Sequence, residues 1–341
     1  MIKLSLAPLA ILLLSPVGLN AAGASDPSAL AFLYDDSHVV IFADGLNDDM
    51  TLRDNPAAPQ PAANMVKNQR WLTIETARVP SLSLSYELPA EARVGARYEL
   101  LPGPALPIHA AVEKYAIYDS CGQNLMAILK VDANDLERFR KLHIEEFLAR
   151  PAGDANPRAV AVARPRIVQP VQTERLRIEK LLGTTMRDYL GKIDYTAAPE
   201  PVARAWRGLS GGTVQAKLKY DVKLVSLGPK YGPRYFVRAL WAMPGIPSVM
   251  FGLWIKPGDR LVAEELWPVG ELQRFDYLED YVDKDRLDNV PFVENVYLTS
   301  DGRVRLLQAL SGHETADENV LEYANGHFKE TGLTWAIALC D

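Results

Sequence analysis

Residues 208–212 have the spacing of a catalytic nucleophile motif. They read Gly208-Leu209-Ser210-Gly211-Gly212, which fits G-x-S-x-G, the turn on which serine hydrolases hold their nucleophile. The glycines are needed because that serine sits on a strained turn between a strand and a helix. His313 lies downstream with acidic residues between, so the chain order serine, acid, histidine is available. A serine hydrolase that uses Ser210 and His313 is therefore one hypothesis for the function.

The sequence around Ser210 favours a different interpretation. Residues 203–206, before the serine, have no strand pattern, whereas the residues from Thr213 onward alternate like a strand. This order is the reverse of the strand–turn–helix that the nucleophile needs. We therefore expect a glycine-rich turn here, and a protein that is not an enzyme.

An acidic and aromatic run at residues 275–288 raises the question of a metal. Asp283 and Asp285 begin like a calcium-binding loop, in which several oxygen atoms converge on one hard cation. Leu287 and Asp288 then stand where an EF-hand has an oxygen ligand and a glycine. We expect a solvated loop without metal, with Asp283, Asp285 and Asp288 as the calcium alternative. The chain has no P-loop and no G-x-G-x-x-G, so we expect no cofactor.

The N-terminus predicts export. Lys3 precedes the apolar run 4–14, and small residues follow at Ala22-Gly23-Ala24, the pattern of a cleaved signal peptide over residues 1–24. The run is too short to span a membrane, and no later stretch is apolar for 18 residues. We expect a periplasmic or secreted protein. Its net charge of -6 argues against a nucleic-acid partner, since such partners require a basic surface.

Export bears on the state of the two cysteines. In an oxidising compartment a pair of thiols tends to be joined, so we predict a disulfide between Cys121 and Cys340. The alternative is two separate buried cysteines that pack as small apolar side chains. The bond would tie the C-terminal strand to the first β region.

Most of the chain consists of paired strand patterns. In the region 25–133, segments 31–34 and 38–42 form one predicted hairpin, and 115–118 and 125–129 form another. From residue 213 to 341, segments 217–224, 234–241, 249–255, 260–267, 293–298, 303–310, 320–323 and 327–329 continue the series. Lys217-Leu218-Lys219-Tyr220-Asp221-Val222-Lys223-Leu224 alternates most clearly, and we expect Leu218, Tyr220, Val222 and Leu224 in the core and Lys217, Lys219 and Lys223 in water.

The region 134–212 is predicted as a helical insert with a linker. Helical spacing follows Asn134 and ends at Pro151, and a proline-rich linker is expected over 151–171. A second helix is expected over 173–190, with Leu176, Leu181, Leu182 and Met186 as its main apolar residues.

Together these patterns predict an α+β protein that is mainly antiparallel β, built of serial hairpins as a meander, sandwich or partial propeller, with a helical insert. The predicted function is that of an exported, non-enzymatic binding or interaction protein, with the serine hydrolase as the alternative. Its partner would be a protein or a small-molecule ligand that the sequence does not identify.

Overall fold

The computed structural model describes residues 27–34, 38–45, 71–74, 93–103, 108–119, 123–142, 146–152, 160–268, 287, 290–299, 301–311, 315–324 and 326–338. Antiparallel strands dominate these residues, as the alternating patterns predict. No helix within these ranges is long and apolar enough to cross a membrane. The predicted signal peptide lies outside them.

The first seven strands build a closed barrel with one strand added at its side. They are Ala29–Tyr34 (β1), His38–Gly45 (β2), Trp71–Ile74 (β3), Arg97–Leu101 (β4), Ile108–Asp119 (β5), Gln123–Lys130 (β6) and Glu146–Pro151 (β7). The pairing order β5-β4-β7-β1-β2-β6 returns to β5, because β5 also pairs with β6, and β3 adds to β5. Closure satisfies the edge hydrogen bonds that an open sheet would expose.

Side chains from all six barrel strands meet in one buried cluster, as alternation around a small barrel requires. The helix Ala133–Leu142 (α1) contributes Phe139 to this cluster, where its ring stacks on Phe147 of β7 at a centroid distance of 5.1 Å. The predicted helix up to Pro151 is therefore too long. It ends at Leu142, and residues 146–151 form β7, because Phe147 and Ala149 point into the barrel core and Leu148 points outward.

The second half is a sandwich of two five-stranded antiparallel sheets. The outer sheet consists of Arg166–Ile167 (β9), Lys217–Ser226 (β10), Pro233–Met243 (β11), Ile246–Lys256 (β12) and Val262–Pro268 (β13), in that order. The inner sheet consists of Val160–Ala163 (β8), Phe292–Thr299 (β14), Val304–Ser311 (β15), Thr315–Ala324 (β16) and His327–Ala338 (β17), also in that order. The sandwich is thus the one of the three predicted arrangements that this half adopts.

The predicted proline-rich linker contributes one strand to each of the two sheets. Its strand β8 pairs with β14 in the inner sheet, and β9, three residues later, pairs with β10 in the outer sheet. Residues 160–167 therefore cross from one sheet to the other at a common edge. The region 134–212, predicted as helical, contains these two strands and β7 as well.

Three helices complete the second half. They are Gln172–Leu190 (α2), Glu200–Ser210 (α3) and the single turn Gly228–Tyr231 (α4). The first confirms the helix predicted over 173–190, whereas α3 was not predicted. Ile178, Leu182 and Met186 of α2 and Trp206 of α3 pack on the outer sheet in the largest buried cluster.

The inner sheet is covered on both faces. One face packs against Phe236, Trp254 and Trp267 of the outer sheet. The other packs against the barrel, where Tyr297 and Leu307 meet outward-pointing leucines of the barrel strands. The described residues therefore stack in the order barrel, inner sheet, outer sheet, helices α2 and α3.

Candidate functional site

Ser210 is the last residue of α3 and lies at the point where two helices end. It lines an open cleft of about 380 Å³ together with Gly191, Asp194, Tyr195 and Arg207. Its hydroxyl donates a hydrogen bond of 3.0 Å to the backbone carbonyl of Arg187, in the last turn of α2. The serine side chain thus holds the two helix ends together.

This setting is unlike a nucleophile elbow. A helix precedes Ser210 and strand β10 follows it, as the sequence pattern indicated. Both helices present their C-terminal ends to the cleft, so carbonyl oxygens point toward it, whereas an oxyanion hole needs N–H donors. His313, the other member of the predicted catalytic pair, lies outside the described residues.

The other sequence-predicted positions also fall outside the described ranges. This holds for the calcium candidates Asp283, Asp285 and Asp288 and for both members of the predicted disulfide, Cys121 and Cys340. Within the ranges that are described, no group of three or more His, Cys, Asp or Glu side chains is placed to hold a metal ion. Both sites therefore stay predictions from sequence.

A buried ion pair within the outer sheet is hydrogen-bonded to the inner sheet. The Arg234 Nε atom lies 2.7 Å from the Glu264 carboxylate, and its Nη2 donates to the hydroxyl of Tyr323 across the sheet interface. Carbonyls of Tyr231 and Pro233 accept from the remaining Nη1. Each guanidinium nitrogen thus has a partner within the protein, and the network joins β11 to β16.

Lys223 is a second charged group on the sheet interface. The pairing of Lys223 with Phe236 places its side chain on the face that meets the inner sheet, and its Nζ lies 5.5 Å from the centre of the Phe292 ring. Removal from water lowers the pKa of Lys223; the nearby Arg238 guanidinium lowers it further, while Glu294 and Asp221 raise it. Lys223 is therefore half-buried, rather than fully in water as expected. Lys217 is exposed as expected.

The most exposed apolar side chains lie on one stretch of chain. Among the described residues, five large apolar side chains are exposed, and three of them fall between residues 167 and 176: Ile167 at 73%, Val171 at 68% and Leu176 at 58%. Ile167 is on the edge strand β9, Val171 is the N-cap of α2, and Leu176 is in its first turns. Scattered exposed apolar side chains are ordinary, but this concentration is not.

Leu176 is exposed because of its phase on α2. The buried face of that helix is formed by Ile178, Leu182, Met186 and Leu190 at four-residue spacing. Leu176 stands two residues before Ile178, about 200° around the helix axis, and so points away from the outer sheet. Leu176, one of the main apolar residues predicted for this helix, therefore lies outside its buried face. The four-residue spacing of apolar residues from Ile178 onward is the feature of the sequence that could have shown that Leu176 does not belong to the buried face.

Cations accompany these apolar side chains. Arg166, Arg177 and Lys180 are exposed, and in the described part of the chain none of them forms an ion pair with a carboxylate. Neighbouring arginines differ, since Arg175 pairs with Glu179. Ile167 pairs with Lys223 and so lies on the face of the outer sheet toward the inner sheet, away from α2. We name the residues at the start of α2, namely Val171, Leu176, Arg177 and Lys180, the apolar–basic strip.

The strip belongs to a basic part of an acidic chain. Residues 160–219 contain eleven Lys and Arg against five Asp and Glu, although the whole chain has 37 Lys and Arg against 43 Asp and Glu. The composition of the whole chain does not reveal this difference, because the positive charge of residues 160–219 is outweighed by the negative charge of the rest. Within residues 172–210, which hold helices α2 and α3, seven Lys and Arg stand against five Asp and Glu, so the helical side of the sandwich has a small excess of positive charge.

No protein family, no curated protein and no solved structure matches the chain.

Proposed function

We propose that the protein is an exported, non-enzymatic interaction protein that binds its partner through the apolar–basic strip. After removal of residues 1–24 it would act in the periplasm or outside the cell. The observation that carries the proposal is that Val171 and Leu176 are exposed at the start of α2 beside Arg177 and Lys180, which form no ion pair in the described part of the chain.

The energetics of exposed apolar surface support this assignment. Complete burial of one Val, Leu or Ile side chain is worth about 1.5–3 kcal/mol relative to leaving it in water. Helix α2 already has an inward apolar face that packs on the outer sheet, so Leu176 adds nothing to the described core. A partner that covers the strip would recover this free energy, and the cations would select a partner of negative charge.

The other polar groups support the proposal by their use within the protein. The hydroxyl of Ser210 donates a hydrogen bond to the Arg187 carbonyl, and Arg234 donates to Tyr323 across the two sheets. Neither is held ready for a substrate.

Capture from native envelope extract tests the proposal. The wild-type protein should retain envelope components that the double variant Val171→Asp/Leu176→Asp fails to retain. Val262→Asp is the matched control, since Val262 is 48% exposed on β13, the strand at the other edge of the outer sheet. Equal retention by the strip variant and the wild type would contradict the proposal. A covalent serine probe supplies the opposing test, because labelling that disappears in Ser210→Ala would favour the hydrolase.

A further inference from the structure

We propose that the outer edge of strand β10 binds an extended, acidic segment of a partner protein as an additional antiparallel strand. In this mode of recognition, main-chain hydrogen bonds supply affinity and alternate side chains supply specificity. The edge does not include the apolar–basic strip, so the inference goes beyond the proposed function and does not rest on it.

Strand β10 has a neighbour along its outer edge for only part of its length. All of β10 pairs with β11, but β9 pairs only with Lys223 and Leu224, and the chain then leaves the sheet toward α2. The Val168 N–H donates to the carbonyl of Val222, so the even-numbered residues of β10 point their backbone groups away from β11. Residues 217–221 therefore form an open edge.

Two residues of this open edge have unpaired backbone groups. The N–H and C=O groups of Leu218 and Tyr220 form no hydrogen bond with any residue that the structure describes. The backbone groups of Lys219 and Asp221 differ, since they face β11 and pair with it. Donors and acceptors on alternate residues match one added antiparallel strand, which is the direction of every strand pairing in the described residues.

Other edge strands in the described part of the chain have features that discourage strand addition. In the outer sheet, β13 has a bulge at Glu264, and in the inner sheet β17 has a bulge between Glu330 and Thr334. The edge strands β3 and β8 are each four residues long. Bulges and short strands are common protection against edge pairing. Strand β10 has neither, because its register with β11 is unbroken over ten residues.

The side chains beside the open edge determine the chemistry of the partner. On the face toward the helices, Leu218 and Tyr220 are half-buried and would contact apolar side chains of an added strand. On the opposite face, Lys217 is exposed and Lys219 is half-buried, whereas the carboxylate of Asp221 is already in an ion pair with β11. Opposite charges on facing strands attract and like charges repel. The added strand should therefore alternate acidic with apolar side chains.

A second copy of β10 is the competing occupant, and charge argues against it. Antiparallel pairing of two copies over residues 217–221 would place the two copies of Lys219 opposite each other at the centre. Like charges directly opposite are destabilising, and an acidic strand avoids this repulsion.

Amide hydrogen exchange with a synthetic peptide tests the inference. The probe is the acetylated and amidated peptide Thr-Glu-Val-Glu-Val-Glu-Thr, added to the purified protein. Without peptide, the amides of Leu218 and Tyr220 should exchange quickly, whereas those of Lys219 and Asp221 should already be protected by β11. Saturating peptide should slow exchange at Leu218 and Tyr220 about tenfold or more and leave Lys219 and Asp221 nearly unchanged. Unaltered exchange at Leu218 and Tyr220 would overturn the inference.

Methylated peptides test whether the main chain makes the contact. Methylation of the valine amides removes the donors that would face Leu218 and Tyr220, so it should abolish their protection. Methylation of the central glutamate amide is the matched control, because that N–H would face solvent, and protection should persist. Equal binding by the two methylated peptides would overturn strand addition.

Charge reversal tests the acidic character of the partner. Lys217→Glu/Lys219→Glu should weaken binding of the acidic peptide about tenfold, and it should gain binding of the peptide that has Lys in place of Glu. Lys130→Glu/Lys256→Glu reverses the same amount of charge at exposed lysines on β6 and β12 and should bind like the wild type.

Two results would overturn the acidic occupant. One is a Lys217→Glu/Lys219→Glu variant with native circular dichroism that binds both peptides as the wild type does. The other is protection of Leu218 and Tyr220 that grows with protein concentration in the absence of peptide, which would identify a second copy at the edge instead.

Discussion

At the scale of single residues, the ammonium group of Lys223 loses hydration that its neighbours do not fully replace. Its side chain lies where the outer and inner sheets meet, with Phe292 beneath the ammonium and the Arg238 guanidinium nearby. Arg238 is itself paired with Asp221, so that carboxylate is shared. Desolvation and a like charge both favour the neutral amine, which is why the pKa of Lys223 is lowered.

Lys223→Met should therefore stabilise the protein at neutral pH, by up to about 1 kcal/mol, because a linear apolar side chain avoids the desolvation of a charge. The sign of the pH dependence follows from the lowered pKa. Between the folded value and 10.5 the unfolded chain binds more protons, so the stability of the wild type rises with pH and the advantage of the variant shrinks. Urea unfolding from pH 7 to pH 10 measures this. Lys217→Met, at the exposed start of β10, should change stability by about 0.5 kcal/mol or less at every pH; an advantage of Lys223→Met that does not vary with pH would refute the argument.

At the scale of elements, Tyr297 fastens the inner sheet to the barrel. It lies on β14 with its ring completely buried, and its hydroxyl accepts a hydrogen bond of 2.7 Å from the backbone N–H of Leu148 on β7. Two residues away, the Asn295 side-chain amide donates to the carbonyl of Glu146 on the same strand. Strand β7 thus belongs to the barrel by its pairing and to the inner sheet by these side chains.

Tyr297→Phe should cost about 1–3 kcal/mol, because it leaves the Leu148 N–H buried without an acceptor. Tyr231→Phe is the matched control, since the Tyr231 hydroxyl has no hydrogen-bond partner in the described part of the chain and the ring contact with Tyr323 is kept. Denaturant midpoints measure both, and equal midpoints for the two variants would count against the fastening role.

Burial also raises the pKa of the Tyr297 hydroxyl above 10, so the stability that this tyrosine contributes is complete below pH 10 and falls as the pH rises beyond that value. Tyr297→Phe should accordingly lose less stability above pH 10 than the wild type.

At the scale of the whole molecule, the layers divide both the burial and the charge. The inner sheet is covered by the barrel and the outer sheet. Where the outer sheet meets it, Arg234 and Glu264 of the outer sheet form a buried ion pair. The helical layer has one face on the outer sheet and the other in water, and it holds the excess of Lys and Arg. Interaction at the helical layer therefore leaves the barrel at the far end of the stack free.

The predicted disulfide would connect the barrel to the inner sheet. Cys121 falls between β5 and β6 of the barrel, and Cys340 follows β17 of the inner sheet, so a bond would cross-link the two halves. Alkylation under denaturing, non-reducing conditions should leave both cysteines unlabelled in protein from the envelope. Cys121→Ser/Cys340→Ser should then lose up to about 5 kcal/mol in the chain-entropy view, because the closed loop is long. Two alkylated cysteines without prior reduction would mean that there is no bond.

Much of the second half was predictable from local patterns. The alternation over 217–224 and the turn residues between segments placed β10 to β17 and their antiparallel pairing, because a hairpin is specified by neighbouring residues. Helix α2 was predictable for the same reason. The barrel was not, since its closure depends on β7 pairing with β1 and β4, and residues 134–150 had apolar residues at helical spacing throughout.

By itself the sequence determined that this is a mainly antiparallel β protein with a helix over 172–190 and with no strand–turn–helix around Ser210. These are properties of short segments, fixed by side-chain period, turn residues and capping. Only the tertiary structure decided which polar and apolar positions meet water. Lys223, on the polar side of an alternating strand, is half-buried because a second sheet covers that side. Leu176, an apolar residue of an amphipathic helix, stays exposed because its phase turns it away from the outer sheet. The alternation of a strand identifies its two faces, but what covers each face is set by segments far away in the chain, and the site proposed here exists for that reason.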